Sequence, residues 1–161
     1  MILTDGDIIE LCNAEEPLIA PFNEKQLTPN GYDVSIKEIA VDGKTLEPRE
    51  DSSGKKIIVI PAKKPFIILT REWLIMPAIV VGTPFIKTKY ARMGIVPAFG
   101  GIEAGFRGNL NLCAMNGNDA PIELCLDATF TQIMFHLAGK KPQKLYAQRS
   151  GNYQNQDKVM K

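Results

Sequence analysis

The feature that most restricts the fold of this chain is a succession of short apolar runs that begins at residue 18. They are rich in β-branched residues or alternate apolar with polar ones, and Pro, Gly, Asn and Asp separate them. The runs are LIAPF, YDVSIKEIAV, KKIIVIPA, PFIILT, AIVVGTPFI, GIVPAF, NLNLCAM, APIELCL and FTQIMFHLA. Eleven prolines and thirteen glycines interrupt the chain too often for long helices. We therefore expect a mainly β protein, built as a barrel or double-sheet roll.

One helix is predicted, at the N-terminus. Thr4 is a suitable N-cap, Asp7 follows three residues later as in a capping box, and Ile8 and Leu11 fall on one helical face. Pro17 is expected to end this helix. The same stretch carries acids inside its first apolar run and no basic region before it, which does not fit a signal peptide.

The composition excludes several classes of function. A chain of 161 residues with 45% hydrophobic and 23% charged residues is expected to form one globular domain. Its 19 basic and 18 acidic residues leave a net charge of +1, so no overall field attracts nucleic acid or anionic membranes. Three cysteines without CxxC spacing and the single His136 disfavour a disulfide framework and a zinc site. No apolar run approaches the roughly 20 residues of a membrane span. We expect a soluble, cytoplasmic protein whose anion sites are local.

The segment FIKTKYARMGI concentrates positive charge. Lys87, Lys89 and Arg92 place three cations around the hydroxyl of Thr88 within six residues. In a strand, the two lysines would point to the same side. Two interpretations follow: a strand edge protected by solvated lysines, or a clamp for an oxyanion or phosphate in which Arg92 offers two parallel donors.

Two further segments are candidates for a site. The stretch FGGIEAGFRG surrounds Glu103 with four glycines, which allows a sharp turn that exposes a carboxylate able to orient water or bind a metal-chelated phosphate. A surface glutamate in a hairpin has the same pattern. In FTQIMF, Gln132 lies within an apolar strand, and a buried amide needs a partner that either a ligand or the backbone could supply.

Taken in order, these segments resemble the trimeric dCTP deaminase and dUTPase superfamily, in particular its dCTP deaminase-like branch. MILTDGDIIE and IAPFNEKQLTPNGYDVSI resemble the opening of that branch, and PAIVVGTPFIKTKYARMGI resembles its P…GRSSLARLGL stretch without a gap. GGIEAGFRGNLNLCAMN is similar to WIDAGFEGxxTLEL, FTQIMF to IGQLIF, and SGNYQNQ to xGKYQGQ. Walker, GxGxxG, HExxH, GxSxG and zinc-deaminase motifs are absent.

The resemblance implies one domain over residues 1–161 with a distorted jelly-roll, or β-clip, barrel and a short N-terminal helix. It also implies a homotrimer with sites between subunits, a deoxynucleoside triphosphate ligand (dUTP or dCTP), Mg²⁺ bound through the triphosphate without a direct protein ligand, no zinc, and residues 147–161 as a lid over the nucleotide. Glu103 and Arg92 are the catalytic candidates it suggests. The nucleotide-binding candidates are Lys87, Thr88, Lys89, Gln132, Tyr146, Tyr153, Gln154 and Gln156.

The chain departs from the family pattern at four places. Cys113 stands where the deaminase branch carries the glutamate that activates water, and a thiol is a weak, soft base. The paired serines become Thr88 and Lys89. Glu103 replaces the aspartate that positions water in dUTPases, and Asn152 replaces the tail lysine.

Two functions are compatible with these departures, and a third is disfavoured. The surviving acid favours hydrolysis of dUTP to dUMP and pyrophosphate over deamination of dCTP. The alternative is a catalytically inactive trimer that binds nucleotides or regulates. A thiol enzyme built on Cys113 has no neighbouring histidine in the sequence to activate it. The sequence leaves open whether the protein is an enzyme and whether dUTP or dCTP is preferred.

Overall fold

The computed structural model describes residues 1–160 and is mainly β, with a nearly closed, barrel-like sheet and a short N-terminal helix. The fold class predicted from the sequence is confirmed. The strands are β1 (Ile19–Ala20), β2 (Leu27–Thr28), β3 (Gly31–Val41), β4 (Lys44–Thr45), β5 (Arg49–Glu50), β6 (Lys56–Ile60), β7 (Pro65–Ile75), β8 (Val80–Ile86), β9 (Ile95–Ala98), β10 (Arg107–Asn116), β11 (Ile122–Cys125) and β12 (Thr129–Leu137). The helices are α1 (Asp5–Cys12), α2 (Thr88–Arg92) and α3 (Tyr146–Arg149), with a 3₁₀ turn at Glu24–Gln26.

The main sheet has the strand order β8-β12-β3-β7-β10-β9, and β1, β2 and β4 pair with its long central strands. A smaller sheet is formed by β11, β6 and β5. Every pairing between named strands is antiparallel. Strand β3 pairs with β12 through Tyr32–Ser35 and with β7 from Ile36 onward, so one strand joins the two halves of the barrel.

The strand β7 is irregular at residues 70–72, and two side chains hold the irregularity: the amide of Asn109, and the hydroxyl of Thr70, which accepts from the Leu110 N–H at 2.9 Å and donates to the Glu72 carbonyl at 3.0 Å. Asn109↔Trp73 and Asn111↔Leu69 are successive partners, so β7 has three residues where β10 has one. The amide of Asn109 donates to the carbonyl groups of all three, Thr70, Arg71 and Glu72, at 3.1, 3.2 and 3.1 Å. These three carbonyl groups are thereby satisfied inside the protein.

Two expectations about local structure are wrong. The segment after Lys87 is the helix α2 rather than a strand, so strand alternation does not relate Lys87 and Lys89. The first helix ends at Cys12 with Asn13 as its C-cap, before Pro17 is reached. Its start is as predicted: the carboxylate of Asp7 accepts from the N–H and the hydroxyl of Thr4, which lowers the Asp7 pKa.

The core is apolar, and large side chains such as Tyr32, Phe66, Phe130 and Phe135 are fully buried in it. None of the helices within residues 1–160 is long and apolar enough to cross a membrane.

One acid also lies inside the core: Glu72 is 1% exposed, and its two oxygens accept from the N–H and hydroxyl of Ser35 and from the amide of Gln26. An ionised carboxylate can only accept hydrogen bonds, and three donors surround this one. The free-energy cost of burying it is therefore compensated.

We expect Glu72→Gln to lower the free energy of unfolding by about 2 kcal/mol, because an NH₂ group would then face donors in the core. Urea denaturation monitored by the fluorescence of Trp73 measures the change. Glu123→Gln is the matched control: its carboxylate is 54% exposed in a surface ion pair with Arg49, and it should cost less than about 1 kcal/mol. Equal effects of the two substitutions would contradict the role assigned to Glu72.

Candidate functional site

The turn before β10 places Glu103 at the surface. Ile102 and Gly82 exchange two backbone hydrogen bonds of 2.8 and 2.9 Å, and the Phe106 N–H closes the turn on the Glu103 carbonyl at 3.1 Å. Gly105 adopts a φ of +82°, which a side chain would disfavour, and a Cβ there would lie 2.8 Å from Leu145. The Glu103 carboxylate is exposed and accepts one hydrogen bond, from the Ser150 hydroxyl at 3.1 Å.

A first cavity of about 460 Å³ lies beside this carboxylate, and we call it the β10 cavity. Its wall is largely apolar, with Ile67, Leu112 and Phe106 among the lining residues. The candidates Glu103, Cys113, Tyr146, Tyr153 and Gln156 also line it. The Cys113 thiol is exposed because alternate residues of β10 face outward while its neighbours Leu112 and Ala114 are buried.

A second cavity of about 420 Å³ shares Glu103 and Tyr146 with the first, and we call it the α3 cavity. Lys144, Arg149 and Ser150 line it. Within residues 1–160 neither Lys144 nor Arg149 forms an ion pair. The sequence analysis did not name either cation. Their positions were a usable signal, because Lys144 lies two residues before the candidate Tyr146 and Arg149 lies three residues after it.

A third cavity of about 440 Å³, the α2 cavity, gathers the other candidates: Lys87, Thr88, Lys89 and Gln132. Asp33 also lines it and forms an ion pair with Lys87, whose ammonium group donates to the Thr129 hydroxyl at 2.9 Å as well. The charge of Lys87 is therefore already compensated.

The amide of Gln132 is also engaged, because it donates to the Thr28 hydroxyl at 2.7 Å. Lys89 makes no ion pair in the described chain, and its ammonium group lies 4.6 Å from the centre of the Tyr90 ring. Arg92 ends α2 and is exposed, outside the residues that line the α2 cavity. The free charge in this region is thus carried by Lys89 and Arg92.

The tail residues dock on their own chain. The Gln154 side chain accepts from the Arg107 N–H at 3.1 Å and donates to the Gly105 carbonyl at 3.1 Å. The Gln156 amide donates to the Asn109 carbonyl at 2.7 Å. The Tyr153 N–H donates to the Tyr146 hydroxyl at 3.1 Å, and its ring is half exposed at the edge of the β10 cavity. Both glutamine side chains therefore hold the tail in place.

The candidates thus form two groups. Glu103, Cys113 and the tail border the β10 and α3 cavities, whereas Lys87, Thr88, Lys89 and Gln132 border the α2 cavity, and the α2 cavity shares no lining residue with the other two. Among residues 1–160 no three His, Cys, Asp or Glu side chains cluster as they would around a metal ion. In each of the first two cavities Glu103 is the one carboxylate among the described lining residues.

Comparison with known proteins gives a consistent result. The model of the dCTP deaminase-like family matches residues 2–138. A dCTP deaminase of Pyrococcus horikoshii is 36% identical over 161 residues, which cover 99% of this chain and 96% of the relative.

Solved structures share the fold. The dCTP deaminase of Agrobacterium tumefaciens has a TM-score of 0.68 at 20% identity, covering 85% of this chain; the match spans about half, 48%, of the Agrobacterium chain. A mutant dUTPase from phage phi11 of S. aureus, described with a structural Mg(II) ion, has a TM-score of 0.54 at 15% identity and covers 78% of this chain and 93% of that one.

The cysteines should differ in reactivity. Cys113 is exposed, whereas Cys12 is half-buried and burial raises the pKa of its thiol, which reduces the reactive thiolate. We expect iodoacetamide at pH 8 to alkylate Cys113 before Cys12, as measured by peptide mass spectrometry over time. In urea the two rates should converge. Faster labelling of Cys12 in the native protein would contradict the exposure of Cys113.

Proposed function

Because this chain belongs to the dCTP deaminase-like family, we propose that it binds deoxypyrimidine nucleoside triphosphates and hydrolyses dUTP to dUMP and pyrophosphate in preference to deaminating dCTP. The observation that carries the proposal is the position of Glu103 between two cavities of different character. Both cavities have largely apolar walls, but among the described lining residues only the α3 cavity has cations, Lys144 and Arg149.

These surroundings suit the two ends of a nucleotide. A base and a sugar are matched by the apolar wall of the β10 cavity and its few polar groups, and phosphates by the unpaired cations of the α3 cavity. The α-phosphate of a nucleotide bound in this way would lie at the boundary between the two cavities. A carboxylate at that point can accept a proton from an attacking water, with the Ser150 hydroxyl holding it in orientation.

The position of Cys113 argues against deamination. It lines the wall of the β10 cavity, where a base would lie and where the family resemblance places a water-activating glutamate. A thiol does not relay protons as a carboxylate does, and the Thr88–Lys89 pair replaces the serines of the family pattern. Glu103 instead keeps the charge that hydrolysis of a phosphate anhydride requires.

Magnesium fits this arrangement when the triphosphate holds it, without a direct protein ligand. Mg²⁺ bound by substrate phosphates usually keeps several waters, and in residues 1–160 no three His, Cys, Asp or Glu side chains cluster as they would around a metal ion. Bound to the triphosphate, the ion would neutralise charge on the phosphate oxygens. Glu103 and the cations of the α3 cavity would orient the chain of phosphates around it.

We also propose that the working form is a homotrimer in the cytoplasm. The separation of the α2 cavity from Glu103 supports this, because a second copy could bring Lys89 and Arg92 to the phosphates bound near Glu103 of the first. Arg92 would then act as a catalytic group across the interface, stabilising charge on the phosphates. Phe85 and Val96, which are 48% and 54% exposed, offer apolar surface for such contacts.

A second candidate is a nucleotide-binding homologue without catalysis. The thiol of Cys113 in place of the family glutamate and the longer stem of Glu103 in place of aspartate favour it, since an acid misplaced by about 1 Å can cost about a hundredfold in rate. Incubation with Mg²⁺ and either dUTP or dCTP separates the two. Intact nucleotides together with a thermal shift would favour binding alone.

Glu103→Gln should reduce release of pyrophosphate from dUTP at least about a hundredfold in kcat with little change in KM, because the amide cannot take a proton from water. Coupled pyrophosphate detection under saturating Mg²⁺ measures both constants. Glu123→Gln, on the smaller sheet, should leave them unchanged. An undiminished kcat in the Glu103 variant would exclude it as the water-positioning group.

Cys113→Glu should introduce deamination of dCTP, since it returns a carboxylate to the wall of the β10 cavity. Ammonia is measured by an ammonia assay, and dUTP, together with the dUMP that its hydrolysis yields, is resolved by anion-exchange chromatography. Cys113→Gln has the same size without the acid and should produce neither. Ammonia from both variants, or from neither, would show that the carboxylate at this position does not decide between the two reactions.

A further inference from the structure

Asn111 lies in β10 on the same outward face as Cys113, and it is bound to the C-terminal tail at three points. Its amide donates to the Gln156 side chain at 3.0 Å and to the Lys158 carbonyl at 3.1 Å. Its oxygen accepts from the Met160 N–H at 3.0 Å. Both amide hydrogens and one oxygen lone pair are thus used by the tail.

The tail before this point is attached in a different way. Residues 154–156 run parallel to the start of β10: the Asn155 N–H donates to the Arg107 carbonyl at 2.7 Å, and the Asn109 N–H donates to the Gln156 carbonyl at 2.9 Å. Gly108 has a φ of +147°, and a Cβ there would come within 3.1 Å of the Gln156 backbone. This part is held by backbone pairing and by the Gln154 and Gln156 side chains, so it keeps contacts that do not depend on Asn111.

Beyond Gln156 the hydrogen bonds that attach the tail depend on Asn111. In the described chain, the hydrogen bonds between residues 157–160 and the rest of the protein are those of Lys158 and Met160 with this one side chain. Met160 and Gln156 line the β10 cavity together with Asn111, Glu103 and Cys113. The end of the tail is therefore one wall of the cavity, and Asn111 holds that wall.

We propose that Asn111 is a positioning residue that latches residues 157–160 over the β10 cavity before any nucleotide binds. Since the wall is already in place, binding does not require the tail to be ordered again, and a bound nucleotide leaves only when the latch opens. The part of the inference that concerns nucleotide rests on the proposed function. The latch itself is a property of the free chain.

Hydrogen exchange of the free protein, followed by NMR at single amides, tests the latch without nucleotide. Asn111→Val keeps a strand-forming residue at the position and removes all three hydrogen bonds. The Met160 amide should then exchange about tenfold faster, while the Asn155 amide, which pairs with Arg107, keeps its protection. Met115→Val, on the same face of β10 outside the cavity, is the matched control and should change neither. Unchanged exchange at Met160 in Asn111→Val would overturn the latch.

The consequence of the latch for nucleotide release is tested by a dissociation rate. The ligand is a dUTP analogue in which nitrogen bridges the α- and β-phosphorus atoms. Asn111→Val and a chain truncated after Gln156 should each release the analogue about tenfold faster, and the combined variant should fall well short of the roughly hundredfold that independent effects would give, because only the bond to Gln156 is then left for Asn111→Val to remove. Release about a hundredfold faster from the combined variant, or an effect of truncation without one of Asn111→Val, would overturn the proposal. If the unmodified protein fails to bind the analogue, the proposed function is wrong, and hydrogen exchange still decides the latch.

Discussion

The arrangement of this protein depends on the amide of Asn109, which closes the irregular stretch of β7 opposite β10. It binds the carbonyl groups of Thr70, Arg71 and Glu72 where three residues of one strand face one residue of the next, and the Thr70 hydroxyl accepts from the Leu110 N–H. Two consequences follow. Glu72 turns into the core, and β10 resumes its pairing from Asn111↔Leu69 onward. The resumed register then fixes the direction of every later side chain in β10.

That register builds the candidate site. Leu112 and Ala114 face the core, so Asn111 and Cys113 must face outward, toward the cavity that the Glu103 turn also borders. The tail docks on the beginning of the same strand and reaches as far as Asn111. One strand therefore brings together the acid, the thiol and the tail, which lie up to 57 residues apart in the sequence, from Glu103 to Met160.

The sequence predicted the strands well because alternation and Pro or Gly boundaries are local signals. It failed where the decisive partner is distant. Arg71 and Glu72 look alike as strand residues, yet only the contacts with Ser35 and Gln26 make Glu72 a buried acid. The α2 segment, with its lysines and tyrosine, has no periodicity that separates a helical turn from a strand edge. The docking of the tail depends on amides whose partners lie about 50 residues away.

The positions of the charged side chains bear on the choice between hydrolysis and deamination. With a net charge of +1, the chain has no general attraction for anions, so the proposed binding of a triphosphate must draw its affinity from local cations. Lys87 is neutralised by Asp33, which leaves Lys89 and Arg92 near one cavity and Lys144 and Arg149 near another. The second pair shares its cavity with Glu103, whereas Cys113 lies on the apolar side. An acid that shares a cavity with unpaired cations, and a thiol outside that cavity, are the reasons for proposing reaction at phosphorus rather than at the ring.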